Sequence, residues 1–128
     1  VTVTAVMECA GNGRFAFDPP PDGLTWGPGA VGCARWTGIR LADVLAAVSP
    51  RRHAVYTAHH GPDVTDEGRP ALSRGLPLAR TGDPDILLAF GMNGEPLPYL
   101  HGGPLRVVAP GFPGSAWQKW LNRLEIRD

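Results

Sequence analysis

The sequence predicts one domain of the α+β class. Short strand-like segments are mixed with a single well-patterned helix, and strands do not alternate regularly with long helices as they do in doubly wound folds. The 17 glycines and 14 prolines set many turns between these segments. A chain of 128 residues is also long enough to bury one core. We therefore expect loops that project from a sheet framework, where functional residues commonly lie.

The amino-terminal segments predict a strand, a tight turn and a long loop. Residues 1–8 are rich in β-branched side chains, and apolar and polar residues roughly alternate there, which predicts a strand. The segment 9–14 that follows contains Gly and Asn, which predicts a tight turn. A cysteine, Cys9, is therefore expected at the carboxyl end of a strand. Residues 17–32 are crowded with Pro and Gly and predict a loop, in which Trp26 is the one large apolar anchor.

The next segment predicts a helix. Thr37 can cap it, apolar side chains recur at helical spacing from Ile39 to Val48, and Pro50 ends it. The remaining predicted elements are a strand at 54–58, a polar surface loop at 59–70 containing a solvated His59–His60 pair, a buried strand at 86–90, a hairpin turn at 92–95, a strand at 105–109, and a helical turn within 117–126 that leads into a final strand.

Charge and hydropathy exclude two classes of partner. Twelve Lys and Arg balance twelve Asp and Glu, so a net charge of zero gives no global attraction for nucleic acid. No apolar run approaches the roughly 20 residues of a membrane helix, and the amino terminus lacks the features of a signal peptide. Both ends read as strand interiors, so we expect one domain over residues 1–128 that is truncated at both ends.

Cys9 is the first candidate for chemistry. A cysteine after a strand is more often a small buried apolar residue than a ligand. Here the Gly11-Asn12-Gly13 turn supplies backbone N–H groups and Arg14 supplies a positive charge, and both favour the thiolate that binds soft metals.

Three other uses of the cysteines and histidines remain open. Cys9 and Cys33 could form a disulfide in an oxidising compartment. A Cys–His hydrolase could use Cys9 with His101, although no known hydrolase signature is present. A zinc site could draw on both cysteines and all four histidines, but their spacing is not that of structural zinc sites; the set is Cys9, Cys33, His53, His59, His60 and His101.

A second group of polar residues favours an anionic ligand. His101 and Arg106 flank a glycine-rich turn, which would let the backbone approach such a ligand while both side chains donate hydrogen bonds. The same pair could equally be solvated polar residues on a turn. Lys119, between two tryptophans, could supply a point charge for a phosphate or could extend along the surface.

Five sequence motifs, whose order and spacing extend over nearly the whole chain, resemble those of the sulfite oxidase family. MECAGNGR at 7–14 and WGPGAVGCARWTG at 26–38 resemble its cysteine-bearing region. LLAFGMNGEPLP at 87–98, HGGPLRVVAPG at 101–111 and KWL at 119–121 resemble its pterin-binding half. The resemblance implies that family's mixed-sheet α+β molybdopterin-binding fold.

The resemblance also implies roles for individual residues. Cys9 would be the one protein ligand to molybdenum, beside the two dithiolene sulfurs of a molybdopterin, and Cys33 would be structural. The pterin and its phosphate would contact Asp63, His101, Arg106 and Lys119, and the substrate oxyanion would lie beside Arg14 and Trp26.

The activity implied is that of a molybdenum-dependent oxidoreductase, which oxidises sulfite or a related small oxyanion or sulfur compound by oxygen-atom transfer. The alternative is a non-catalytic or incomplete domain of the same fold that serves as a binding or assembly module. Residues 115–118 (SAWQ) depart from the family's small-Arg-x-Val run, which leaves the substrate and the electron acceptor open.

Partners and compartment follow from the same resemblance. No haem-attachment Cys-x-x-Cys-His is present, so electrons would pass to an external acceptor such as a cytochrome c, or to a separate domain. A homodimer would form through a carboxyl-terminal region outside these residues. Export of related bacterial enzymes favours a periplasmic over a cytoplasmic location.

Overall fold

In the residues that the structure describes, two antiparallel sheets and one α-helix form the fold. The computed structural model describes residues 1–68 and 73–128. Its elements are β1 (Thr2–Glu8), β2 (Val31–Arg40), α1 (Leu41–Val48), β3 (Tyr56–His60), β4 (Ser73–Pro77), β5 (Leu87–Met92), β6 (Glu95–Pro96), β7 (Arg106–Val108) and β8 (Arg123–Arg127). The first sheet has the order β1-β2-β5-β6, with β7 also paired to β5, and the second has the order β4-β3-β8. Strands and a helix in one fold confirm the α+β class.

The core is one continuous apolar cluster that receives side chains from both sheets and from α1. Trp36 of β2, Leu87 of β5 and Val107 of β7 are at most 2% exposed, and Leu76 of β4 is fully buried. Burying an aliphatic side chain of this size contributes about 1.5–3 kcal/mol. No helix in the described ranges has the length and apolar character needed to cross a membrane.

Several predicted elements are confirmed. The first strand occupies Thr2–Glu8 and the buried strand predicted at 86–90 is β5 at Leu87–Met92. The predicted hairpin turn joins β5 to β6, with Asn93 at φ 55° and Gly94 at φ 93°. Asn and Gly tolerate this left-handed backbone, which is why the dipeptide predicts the turn correctly.

The predicted start of the helix is wrong. Thr37 and Ile39 belong to β2, which runs on to Arg40, and α1 begins only at Leu41. Pairing with strands on both sides holds Thr37 extended: it pairs with Thr2 of β1 in register, and their hydroxyl oxygens lie 3.0 Å apart. Tertiary pairing thus overrides the local helical period. The helix ends as predicted before Pro50.

The prediction of a solvated His59–His60 pair is also wrong. Both residues lie in β3, the central strand of the second sheet, with His59 0% and His60 6% exposed. Strands on both sides, β4 and β8, pair with them and cover the backbone. The last two residues of the predicted loop at 59–70 lie outside the described residues.

No helical turn forms within residues 117–122, contrary to prediction. A short 3₁₀ turn lies earlier, at Gly114–Ala116, and Trp120 has a left-handed φ of 50° that a right-handed helix cannot contain. The final strand predicted after this segment is β8, at Arg123–Arg127.

Candidate functional site

The Cys9 thiol is exposed at the end of β1, on a turn that is closed by backbone hydrogen bonds. The Asn12 amide donates to the Cys9 carbonyl at 2.9 Å, and the Cys9 amide donates to the Ala30 carbonyl at 2.9 Å. The Gly11 amide lies 3.4 Å from the Cys9 Sγ and donates to it. Hydrogen bonds therefore hold the backbone of this turn, and one backbone donor is directed at the sulfur.

The side chain of Asn12 fastens this turn on both sides. Its Nδ2 donates to Glu8 Oε1 at 2.7 Å, and its Oδ1 accepts from the Ala30 amide at 2.9 Å. Asn12 therefore connects the end of β1 with the segment that leads into β2. The sequence predicts Asn12 only as a turn residue, because its bond to Ala30 spans 18 positions and leaves no local pattern.

Arg14 and Trp26 lie against the same turn. A Cβ built on Gly11 would stand 3.0 Å from both Arg14 Nη2 and Trp26 Cδ1, so a glycine here permits both side chains to approach. Arg14 Nη1 donates to the Leu24 carbonyl at 3.3 Å. The structure thus brings Cys9, Arg14 and Trp26 to one turn, although Trp26 is 47% exposed and is not a buried anchor.

An open cavity of about 220 Å³ adjoins this turn. It is lined by Ala10, Gly11, Asn12, Arg14, Phe17, Pro19 and Pro21. Arg14 is the only charged residue among the described residues that line it. A cavity with one cation and an apolar wall suits a small anion or an anionic group on a larger molecule.

Neither the disulfide nor the zinc site predicted as an alternative is found in the described residues. Cys9 and Cys33 are both free and exposed. Within residues 1–68 and 73–128, no group of three or more His, Cys, Asp or Glu is arranged to hold a metal ion. Cys33 pairs in register with Val6 across β1 and β2.

His101 and Lys119 lie on two loops that are joined by hydrogen bonds. The Trp120 amide donates to the Gly102 carbonyl at 3.1 Å, and Lys119 Nζ donates to the Leu100 carbonyl at 3.0 Å. Gly102 has φ 102°, and a Cβ there would lie 2.8 Å from the Lys119 Cβ. Only glycine permits this approach, which brings His101 and Lys119 into neighbouring positions.

Arg106 is buried beneath these loops, with 2% of its surface exposed. Its Nη1 donates to the His101 carbonyl at 2.7 Å, and its Nη2 donates to the Trp117 carbonyl at 3.0 Å. Nη2 also lies 3.4 Å from the Met7 Sδ. A fourth, longer bond joins Nε to the Val107 carbonyl at 3.4 Å. One N–H of Nη1 therefore remains for a ligand, out of the five on a guanidinium.

The electrostatic setting of Arg106 is unusual. Burial lowers its pKa to about 10, so the guanidinium stays charged at neutral pH. Within the described ranges no carboxylate forms an ion pair with it. A buried cation without a counter-charge favours an anion close by. This is a physical reason to expect an anionic ligand at the surface formed by the two loops.

Asp63 is exposed in the segment after β3. That segment begins against the Lys119 loop, because a Cβ on Gly61 would lie 3.1 Å from the Lys119 carbonyl oxygen. The segments that carry Asp63, His101 and Lys119 therefore adjoin one another. Sequence reasoning missed the part played by Met7 and Trp117, since their contacts with Arg106 span 99 and 11 positions.

Comparison with known families identifies the domain. The model of the oxidoreductase molybdopterin binding domain matches residues 1–128. The chain belongs to this molybdopterin-binding oxidoreductase family. That match, together with sulfite oxidases that are 40–42% identical over nearly the whole chain, confirms the resemblance to the sulfite oxidase family.

Individual relatives of this molybdopterin-binding domain carry more than one activity in their names. Mitochondrial sulfite oxidase of Rattus norvegicus is 42% identical over 97% of this chain and 24% of its own length. The NADPH nitrate reductase of Fusarium oxysporum is 35% identical over 98% of this chain and 14% of its own length. The chain thus spans about a quarter of the length of the sulfite oxidases that it matches.

A solved structure shows the same fold. The sulfane dehydrogenase SoxCD of Paracoccus pantotrophus superimposes with a TM-score of 0.82 at 32% identity. The match covers 100% of this chain and 32% of that one. The sulfite-oxidase-type molybdopterin-binding fold predicted from the sequence is therefore confirmed.

Proposed function

We propose that this molybdopterin-binding domain forms part of a molybdenum enzyme that oxidises sulfite or a related small sulfur compound or oxyanion by oxygen-atom transfer. The placement of Cys9 carries the proposal. It is a free, exposed thiol on a hydrogen-bonded turn, and β1 joins it through Met7 and Arg106 to the loops of His101 and Lys119.

The residues present fit a molybdenum–molybdopterin group. Cys9 would supply the thiolate ligand, and His101 and Lys119 would donate to the pterin and its phosphate. Lys119 Nζ donates one hydrogen bond to Leu100, which leaves two of its three N–H groups for an anion. Arg106 would add its positive charge and its remaining N–H, and Asp63 would accept from a pterin N–H.

When bound, the molybdenum centre supplies two-electron redox chemistry and oxygen-atom transfer. The chain supplies the position and the charge. The Gly11 amide orients the Cys9 sulfur, and Arg14 with Trp26 would hold the anionic substrate beside it. Lys119 lies 4.1 Å from the centre of the Trp120 ring, which limits the movement of its ammonium group before a phosphate arrives.

The whole protein would pass its electrons to an external acceptor, for which a cytochrome c is our proposal. A periplasmic location would agree with that acceptor. Two subunits would associate through a region outside this chain.

The test is metal and pterin analysis of the full-length protein expressed in a cofactor-competent host. Wild type should contain near-stoichiometric molybdenum and a fluorescent oxidised pterin, and Cys9→Ser should lose molybdenum and sulfite-dependent reduction of an acceptor. Cys33→Ser is the matched control, because Cys33 is the other free, exposed thiol of the same sheet and should keep both.

The outcomes separate the proposal from its alternative. Molybdenum that is retained in Cys9→Ser would contradict the ligand assignment. Absence of molybdenum and pterin from wild type would favour the non-catalytic module that the sequence left open.

A further inference from the structure

One buried guanidinium connects three segments that carry proposed site residues. Arg106 donates to the carbonyl of His101 itself, to the carbonyl of Trp117 and to the sulfur of Met7. Trp117 lies two residues before Lys119, and Met7 lies two residues before Cys9. Each of these three hydrogen bonds therefore restrains the chain at or near a different proposed site residue: His101, Cys9 and Lys119.

Aromatic rings fix the plane of that guanidinium. Its central carbon lies 4.9 Å from the centre of the Trp36 ring and 6.0 Å from that of Trp117. The two rings meet edge to face at 68°, with their centres 6.0 Å apart, and each is 2% exposed. A planar cation between such rings cannot rotate freely, so the directions of its N–H groups are set by the core.

The bonds leave little of Arg106 for a ligand. Four N–H groups are used within the protein, by Met7, His101, Val107 and Trp117, and a fifth remains. If Arg106 were chiefly a donor to an anion, most of its N–H groups would face the ligand. Its bonds instead tie β7 to the end of β1, to the His101 turn and to the segment before Lys119, which is the geometry of a residue that acts through others.

We propose that Arg106 is a positioning residue: it holds the Cys9 strand, the His101 loop and the Lys119 loop in one fixed arrangement before the cofactor binds. This inference rests on the proposed function for its meaning, because it concerns the residues assigned there to metal and pterin. It goes beyond that proposal in making the spacing of those residues depend on one side chain that contributes at most one contact of its own.

The experiment compares Arg106→Met with wild type in full-length protein from a host that makes no cofactor. Hydrogen–deuterium exchange is measured at the amides of Cys9, Gly102 and Trp120, which are all hydrogen-bonded within the site. In a Cys33→Ser background, the reaction rate of the Cys9 thiol with a disulfide reagent reports on the end of β1. We expect exchange at the three amides to rise about tenfold, and the thiol rate to change severalfold.

Two controls distinguish positioning from general loss of stability. Leu41→Ala removes a fully buried side chain of α1, so it lowers stability without touching the guanidinium. Arg74→Met removes an exposed arginine of β4, in the other sheet. In neither variant should amide exchange at Cys9, Gly102 and Trp120 increase by a larger factor than amide exchange in β3.

Arg106→Lys keeps the measurement possible where Arg106→Met fails to fold. Lysine retains the charge but lacks the planar fork, so it cannot reach all three acceptors at once. It should raise exchange at the three amides above that of wild type and change the thiol rate, by less than Arg106→Met does where that variant folds. Met7→Leu removes only the sulfur acceptor. It should change amide exchange and the thiol reaction rate at Cys9, and leave amide exchange at Gly102 and Trp120 unchanged.

Equal increases at the three site amides and in β3, or unchanged exchange at the site amides, would overturn the positioning role. The same proteins expressed in a cofactor-competent host should show a lower pterin content for Arg106→Met than for Leu41→Ala. If wild type itself carries no molybdenum, the proposed function fails, whereas the exchange and thiol data from the cofactor-free protein still decide the role of Arg106.

Discussion

Single glycines decide which side chains can meet at the candidate site. Gly102 combines a left-handed φ of 102° with a position at which an added Cβ would stand 2.8 Å from the Lys119 Cβ. A residue with a Cβ there meets both backbone strain and a clash. The neighbouring positions of His101 and Lys119 therefore depend on residue 102 having no Cβ.

Gly102→Ala is expected to lower the free energy of unfolding by about 1–3 kcal/mol, because the added Cβ would lie 2.9 Å from the Lys119 Cα. It should also lower the pterin content, since the Lys119 loop must move away. Chemical denaturation and pterin fluorescence measure the two effects. Gly82→Ala is the control, because open space surrounds its Cβ, and it should change stability by no more than about 0.5 kcal/mol.

At the scale of elements, strand pairing governs where local preferences are overridden. β2 continues through Thr37 and Ile39 because β1 and β5 flank it, and it carries an irregularity between Thr37 and Gly38. At that point the strands come unusually close. A Cβ on Gly38 would clash with the Leu88 carbonyl oxygen and stand 2.7 Å from the Ala89 Cα.

Gly38→Ala should therefore destabilise the protein by about 1–3 kcal/mol, because backbone atoms of β5 cannot yield as a flexible side chain can. Gly32→Ala lies in the same strand with nothing within 4 Å of its Cβ, so it should be neutral or stabilise by up to about 1 kcal/mol. Urea denaturation of the two variants measures the difference. Equal effects would show that the close approach at Gly38 does not exist in solution.

At the scale of the whole molecule, the buried His59 couples stability to pH. Burial, with a smaller contribution from the charge of His60, lowers the pKa of His59 from 6.5 to about 4. Its Nε2 lies 3.0 Å from the Thr57 Oγ1, and its Nδ1 is buried with no hydrogen-bond partner among the described residues. The folded state therefore holds this ring neutral, whereas the unfolded chain protonates it near its ordinary pKa.

Because the folded pKa is depressed, the contribution of His59 is fully present above about pH 6.5 and is lost as pH falls toward 4. The free energy of unfolding should drop by about 3 kcal/mol across that window, at 1.36 kcal/mol per pKa unit. Denaturation from pH 4 to 8 should show this slope in wild type and not in His59→Gln. The control His53→Gln changes an exposed histidine and should keep the slope.

A second group adds to the loss at lower pH. A hydrogen bond from Arg127 lowers the pKa of Glu125, so its contribution is present above pH 4.5 and is lost as pH falls below that value. Between pH 4.5 and 6.5 the effect of Glu125 is small. If the free energy of unfolding of His59→Gln falls with pH as steeply as that of wild type in this range, the assignment to His59 is contradicted.

Sequence patterns alone predict the class of fold, the strands β1 and β5, the Asn93-Gly94 turn and the family. These features depend on short-range patterns: alternation, turn residues with left-handed backbone, and motifs whose residues are close in the chain. The sequence also placed Cys9 at the end of a strand, and named Arg14 and Trp26, which the structure brings to the same turn.

The start of α1, the burial of His59 and the surroundings of Arg106 are set by tertiary contacts. Each depends on partners distant in sequence: β1 and β5 for Thr37, β4 and β8 for His59, and Met7 for Arg106. Local propensities differ by about 1 kcal/mol or less per residue, so a strand pairing or a buried contact outweighs them. Such contacts leave no mark on the residues next to them, which is why no local pattern could have predicted them.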